Sequence, residues 1–261
     1  MRETTGDILV AVDGGMATVM LNRPAQRNAM TLAMWREVGA RFQELGSDKT
    51  VRAIILTGAG NSFSVGADVS EFDKVRATAA AATEYEIAVD ACADAIEAAP
   101  KPTFAAISGY CLGGGCHLAL ACDFRIAGPD AAIGIPAAKL SIVYGVRSTQ
   151  RLLALVGIVE AKRLLYTAAR YDAATALAIG LLDRVGDNPV LTAAGMARDM
   201  IANAPLSIAG AKTILNGLAM GPGALDAKVA QRAIDIAADS ADYLEGRRAF
   251  AQKRQPHFRG E

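Results

Sequence analysis

The sequence is sparing with the residues that mark specialised chains. It has two histidines, four cysteines and one tryptophan in 261 residues, and aromatics make up 5%. It also lacks an excess of charge, because 27 Lys+Arg face 27 Asp+Glu. A neutral chain without a basic block is not a dedicated binder of nucleic acid or of anionic membranes, which needs clustered positive charge. No apolar run reaches the ~20 residues that span a bilayer. Met1–Asp7 has no signal-peptide apolar stretch. Four cysteines at this length make no disulfide scaffold and read as reduced thiols in a cytoplasmic protein. What the chain does have is apolar mass, at 52%, which excludes disorder and suits one large domain.

Ile8–Val12 and Ala17–Leu21 read as strands joined by Asp13-Gly14-Gly15, a hairpin signal. Thr31 reads as the N-cap of a helix with Leu32, Trp35, Val38, Phe42 and Leu45 on one face. Val51–Thr57 is a nearly unbroken apolar run rich in β-branched residues, as in a strand buried on both faces. Thr103–Ser108 and Phe124–Ala127 look similar. Helices are expected over 77–98 and 115–121, and Asp172 reads as the cap of another that stops near Gly180. Leu181–Val185 reads as a last short strand, with helical runs over 190–202, 206–218 and 224–252. Alternating strands and helices followed by an all-helical tail predict an α/β core with a helical appendage.

Two Gly-rich loops follow strand-like runs: Gly58-Ala59-Gly60-Asn61-Ser62-Phe63-Ser64-Val65-Gly66-Ala67-Asp68, and Ser108-Gly109-Tyr110-Cys111-Leu112-Gly113-Gly114-Gly115-Cys116-His117. Neither has a P-loop ending or dinucleotide-loop spacing. A metal site from Cys111, Cys116 and His117 lacks a fourth ligand at sensible spacing. Gly113–Gly115 reads instead as the entry to a helix, where bare backbone N–H groups approach a ligand closely and suit a developing oxyanion. A glycine run that merely lets a helix pack on a strand explains the same pattern.

Both loops in this order resemble the enoyl-CoA hydratase/isomerase (crotonase) superfamily. Further matching pieces are Asn22-Arg23-Pro24 with Asn28-Ala29-Met30, Ala121-Cys122-Asp123-Phe124-Arg125-Ile126-Ala127, Thr149-Gln150-Arg151-Leu152, and Glu245-Gly246-Arg247-Arg248-Ala249-Phe250 with Lys253-Arg254. The resemblance implies a ββα-spiral core over 1–200, a C-terminal helical trimerisation part over 201–261, and a homotrimer or dimer of trimers. It implies a lyase or isomerase acting on an acyl-CoA thioester, with no cofactor beyond the substrate's own coenzyme A. The backbone N–H groups of Ala67 and Gly114 would hold the thioester oxygen. Ala25, Gln26, Arg27 and Ala29, with Ser64, Gly66, Asp68 and Val69, would line the coenzyme A path. Leu112, Gly113, Ala137, Leu140 and Ser141 would also bind the substrate. Phe250 and Lys253 would reach a coenzyme A, often on a neighbouring subunit.

The chain departs from the family's hydratases at both catalytic glutamates. His117 stands at the first position and Ala137, in Ile133-Gly134-Ile135-Pro136-Ala137-Ala138, at the second. An alanine transfers no proton, so two-glutamate hydration is not expected. His117, with an ordinary pKa near 6.5, is the candidate acid/base, set against a buried histidine bonded to backbone. Tyr144, in Leu140-Ser141-Ile142-Val143-Tyr144-Gly145, resembles the methylmalonyl-CoA decarboxylase branch and is the second catalytic candidate. Arg147 is read either as a partner for an acyl carboxylate or as a surface residue, Asp68 as a loop organiser, and His257 as surface. Glu84 and Glu86 lie on the helix that borders the acyl pocket in this family. The alternatives to an enolate-forming hydratase/isomerase are a decarboxylase or hydrolase of the same fold using Tyr144 and His117, and a silent acyl-CoA binder. An RNA-binding scaffold is disfavoured, since Thr31–Leu45 carries only Arg36 and Arg41 as cations.

Overall fold

A computed structural model describes residues 6–261. Met1–Thr5, part of the segment read above for a leader, lie outside the described residues.

The chain opens with a hairpin, β1 (Ile8–Asp13) and β2 (Met16–Leu21), paired from Ile8↔Leu21 to Asp13↔Met16. Helix α1 (Leu32–Ser47) starts where Thr31 accepts a hydrogen bond from the Met34 N–H. Three long strands follow, β3 (Ala53–Gly58), β5 (Thr103–Ile107) and β7 (Phe124–Ala127), which with β10 (Arg184–Val185) run parallel to β2. The six-stranded order is β1-β2-β3-β5-β7-β10.

Side-chain alternation along β3 explains its unbroken apolarity. Ile54 and Leu56 point into the main core with Trp35, Phe42 and Ile96, whereas Ala53 and Ile55 face a second cluster. That cluster includes Phe104, Ile126, and Ala193 and Ala197 of α7 (Pro189–Ile201). The sheet is therefore covered on both faces, which parallel strands require.

The expectation missed a second sheet. Each long strand is followed by a three-residue strand: β4 (Ser62–Ser64), β6 (Tyr110–Leu112) and β8 (Ala132–Gly134). These pair in parallel in the order β4-β6-β8, and β9 (Arg170–Asp172) closes the edge antiparallel. The chain thus winds in stacked coils, each with one long and one short strand. Helices α2 (Phe72–Val75), α3 (Ala79–Ala98) and α4 (Gly114–Ala121) fill the coils, and α5 (Val146–Thr167) crosses outside them, broken at Gly157.

Asp172 caps α6 (Ala173–Ala178) through the Thr175 N–H, as expected. The expected strand over 181–185 shrinks to Arg184–Val185, because the Leu181 and Leu182 N–H groups both bond to the Ala176 carbonyl at the helix end. The expected run over 224–252 is two helices, α9 (Ala227–Ala238) and α10 (Ala241–Ala251), after α8 (Pro205–Ala219). Ser240 divides them by accepting the Tyr243 N–H as a new N-cap.

Candidate active site

Asn28 stitches the first loop together. It sits at φ +55, donates through Nδ2 to the Ala59 and Ser62 carbonyls, and accepts the Arg23 N–H. Ser64 Oγ donates to the Asn28 carbonyl and accepts the Gly66 N–H at 3.1 Å. Arg23 reaches from the other side to the Ala29 carbonyl and to Asp68, both at 2.8 Å. Ser70 and then Arg23 hold the Asp68 carboxyl below its usual pKa. Asp68 is thus engaged by its own loop.

This bracing orients Ala67. The Met30 N–H bonds to the Gly66 carbonyl and the Asp68 N–H to the Met30 carbonyl. The Ala67 N–H, between them, finds no backbone acceptor among the described residues. Gly114 begins α4, where the first N–H groups have no intrahelical partner. The two backbones meet closely: a Cβ on Gly66, whose φ is +92, would lie 2.7 Å from the Gly114 nitrogen and 2.8 Å from the Leu112 carbonyl. Only glycine fits there. Two free N–H groups on abutting loops can hold one oxygen that gains negative charge.

The remaining expected residues divide into those near this corner and those away from it. Ala25 and Gln26 lie on an exposed 3-10 turn, and Arg27 follows at φ +50 with its guanidinium 5.1 Å from the Tyr110 ring centre. Ala29 and Leu112 are buried, whereas Val69 and Leu140 are exposed. The Gly113 N–H bonds to the Gly134 carbonyl, and Ala137 packs on the core from a 3-10 turn that ends at Ser141. Phe250 (87% exposed) and Lys253 lie at the end of α10, which packs with α9, and Phe250 lines a groove with Pro205-side residues Ala204 and Leu206. The described residues show no bond between that end and the loop at Ser64–Val69.

His117 is 2% exposed, and both its ring nitrogens are occupied. Nδ1 faces Ser148 Oγ in a short hydrogen bond, and Nε2 lies 3.3 Å from the Val89 carbonyl. A carbonyl only accepts, so Nε2 carries the proton and Nδ1 accepts from the serine. Burial first, then Arg151, lowers its pKa to about 4. The imidazole is therefore neutral at ordinary pH and tied to α3 and α5. This is the bonded, buried arrangement set against catalysis in the sequence reading.

Tyr144 stands beside it, ring centres 6.4 Å apart, with its hydroxyl donating to the Gly113 carbonyl at 3.4 Å. Burial pushes its phenol well above the usual pKa, so it stays a donor. Arg147 is neither solitary nor free for an acyl carboxylate: with Arg151 it pairs to Asp94 and Glu97 of α3. Glu86 pairs with Arg76 at 2.9 Å, and Glu84 lies in a groove with Arg36 and Gln43. Cys111 and Cys116 are buried, with sulfurs 4.0 Å apart, and the Cys116 thiol donates to the Cys111 carbonyl. No group of three or more potential metal ligands occurs among the described residues. No helix among them is long and apolar enough to cross a membrane.

Sequence reasoning missed Asp90. It lies on α3 with Oδ1 3.9 Å from His117 Nε2, its side chain 41% exposed. Its signal was the acidic stripe Asp90, Asp94, Glu97 at helical spacing on an otherwise alanine-rich helix.

The fold is one of stacked coils, and at one corner of it the Ala67 N–H and the Gly114 N–H that opens α4 lie on abutting loops. The enoyl-CoA hydratase/isomerase family profile matches residues 11–261, and the chain belongs to that family of enzymes. It is 37% identical over 213 residues to the short-chain-enoyl-CoA hydratase of Clostridium acetobutylicum, covering 80% of this chain and 81% of that one. It is 33% identical over 259 residues to the mitochondrial methylglutaconyl-CoA hydratase of Rattus norvegicus, covering 95% and 80%. The crystal structure of an enoyl-CoA hydratase/carnithine racemase from Magnetospirillum magneticum superposes with a TM-score of 0.91 at 34% identity, covering 99% of this chain and 97% of that one.

Proposed function

We propose that this enzyme binds an acyl-CoA thioester and stabilises its enolate, with the Ala67 and Gly114 N–H groups on the thioester oxygen. The observation that carries this is the abutment of Gly66 on Gly114, which brings the two unpaired donors to one corner. Removing one such donor typically costs 10²–10³-fold in rate, so the pair supplies much of the chemistry. Coenzyme A would run along Ala25–Arg27 and Ser64–Val69. No cofactor is called for, because the reactive carbon is acidified by its own thioester. Phe250 and Lys253 would serve a neighbouring subunit, in a homotrimer or dimer of trimers. The exposed Leu215, Leu218, Val229, Ile234 and Ile236 on α8 and α9 supply an apolar face for such an assembly.

Standard water addition is disfavoured. Ala137 has no proton to move, and His117 is neutral with both nitrogens engaged. The test is crotonyl-CoA in D₂O, read by mass spectrometry. Proton exchange without addition is expected, and addition of the elements of D₂O at an enzyme-like rate overturns this part of the reading.

A second reading, decarboxylation of a malonyl-type thioester, is favoured by Tyr144. Its protonated hydroxyl stands at Gly113, next to the Gly114 donor, where it would orient a carboxylate. In the same assay, a malonyl-type thioester would then lose CO₂ while crotonyl-CoA stays unchanged.

A further inference from the structure

The side chains around the Gly114 corner close into a ring. The His117 N–H bonds to the Gly113 carbonyl, and the Tyr144 hydroxyl donates to that same carbonyl from the other side. Gly145, next to Tyr144, faces Asp90, since a Cβ there would lie 3.9 Å from Asp90 Oδ1. Asp90 Oδ1 in turn lies 3.9 Å from His117 Nε2, which completes the ring. Three members are internally satisfied. Gly113 receives two donors, His117 is bonded at both nitrogens, and Tyr144 donates to Gly113. Asp90 is the exception.

The reason lies in the pairing of α3 with α5. Asp90, Asp94 and Glu97 share one stripe of α3, and Arg147 and Arg151 share the facing stripe of α5. Arg147 and Arg151 both bond to Asp94 and to Glu97. Two cations are thus used on two carboxylates, and Asp90 has no cation within hydrogen-bonding distance among the described residues. The burial of Asp90 and the charge of Asp94 raise its pKa, against the pull of Arg151 and Arg147. Unpaired, partly exposed and linked through His117 to the Gly113–Gly114 turn, it has the character of a group that exchanges protons.

Resting on the acyl-CoA reading above, we infer that Asp90 is the proton carrier of this site and that the reaction is a proton shift within a β,γ-unsaturated acyl-CoA. The carboxylate takes a proton from the carbon next to the thioester carbonyl. That C–H bond breaks, its electron pair moves toward the carbonyl, and the oxygen becomes the anion held by Ala67 and Gly114. Asp90 then gives a proton to the γ-carbon, either the one it took or one exchanged for it with solvent. The carbonyl re-forms, and the double bond moves into conjugation. No oxidant, reductant or water is consumed. One carboxylate suffices for this shuttle, so a site lacking both family glutamates can run it.

The test compares the wild type with Asp90→Asn and Asp90→Glu. But-3-enoyl-CoA is followed in D₂O by the ultraviolet absorbance of the conjugated product, with mass spectrometry reading any deuterium uptake, and butyryl-CoA binding is followed by calorimetry. Conversion to crotonyl-CoA by the wild type is expected, with a loss of roughly 10²–10⁴-fold in Asp90→Asn at unchanged affinity. Asp90→Glu should restore part of the rate. The wild-type rate should rise with pH on a limb lying above the ordinary aspartate value. Asp94, Arg147 and Arg151 act on that limb, His117 takes up a proton only near its own pKa of about 4, and Tyr144 stays protonated throughout. Asp90→Glu should move the limb and a merely structural role would not. Full activity in Asp90→Asn, or thioester binding without proton transfer in the wild type, overturns the assignment of Asp90. Absence of any thioester binding by the wild type overturns the acyl-CoA reading itself, and this one with it.

Discussion

The loop from Ser64 to Asp68 abuts Gly114, and a wall of His117, Tyr144 and Asp90, with Ala137 on the turn that follows β8, stands around the neighbouring Gly113, yet the two sides are specified differently. The loop acts through main-chain N–H groups, whose directions follow from the Asn28, Ser64 and Arg23 bonds. The wall acts through side chains, each replaceable without moving the backbone. The loop keeps the pattern that the resemblance implies, and in the wall His117 and Ala137 stand where that resemblance would place two glutamates. On the function proposed above, binding of the anion would rest on the backbone and transfer of the proton on individual side chains, which makes the two separable.

The heaviest blow to the backbone side of this comparison is Gly66→Ala. Its Cβ would press on the Gly114 nitrogen and the Leu112 carbonyl from a φ that disfavours side chains. Thioester turnover should fall by about 10²–10³-fold, measured as kcat/KM, with circular dichroism checking that the fold survives. A variant with full activity would refute the role of this corner.

His117 offers a test of the wall that needs no substrate. Its folded pKa is about 4, below the ordinary value. The unfolded chain therefore takes up a proton first as pH falls. The stability held by the neutral imidazole is complete above about pH 6.5 and is lost progressively toward pH 4, with about 2 kcal/mol gone by about pH 5. Urea unfolding across that range should show this slope, and His117→Gln should flatten it. An unchanged slope would mean that the imidazole is not held neutral.

The smallest effect joins the two sides. Trp35 Nε1 donates to the Tyr85 hydroxyl at 2.9 Å within the core, and a Cβ on Gly114 would come 3.0 Å from the Trp35 ring. Tyr85→Phe leaves the indole N–H without a partner and should cost ~1 kcal/mol in urea unfolding. Turnover should fall by less than tenfold, because the indole still packs beneath Gly114. A larger kinetic than thermodynamic loss would show that the tryptophan positions the donor.

Much of the fold was legible because its signals are local. The strands β3, β5 and β7 are apolar runs with β-branched residues, and Thr31 and Asp172 cap the helices they were expected to cap. The short strands β4, β6 and β8 were not legible, since three residues carry no period and their pairing is entirely long-range. Ser240 hid a helix start inside a continuous helical pattern. In the site, the two glycine-rich loops stood out from the sequence, and the resemblance singled out Ala67 and Gly114 within them. That Ser148 and Val89 occupy the His117 ring was invisible, because neither is near it in sequence. Asp90 escaped notice because what isolates it is the engagement of Arg147 and Arg151 with its neighbours, more than 50 residues away.

The stacked coils have one more consequence. Ala67 follows β4 by three residues, Gly114 follows β6 by two, and Ala137 follows β8 by three. These are equivalent bends on successive storeys of a staircase, and the landings are about 4.8 Å apart because that is the distance between hydrogen-bonded strands. On the proposed function the lower two landings would hold the oxygen, while the third, at Ala137, is a bare step. The gauge of the staircase is set by the peptide group itself. The side chain on the third landing can change while the spacing of the first two keeps its dimensions.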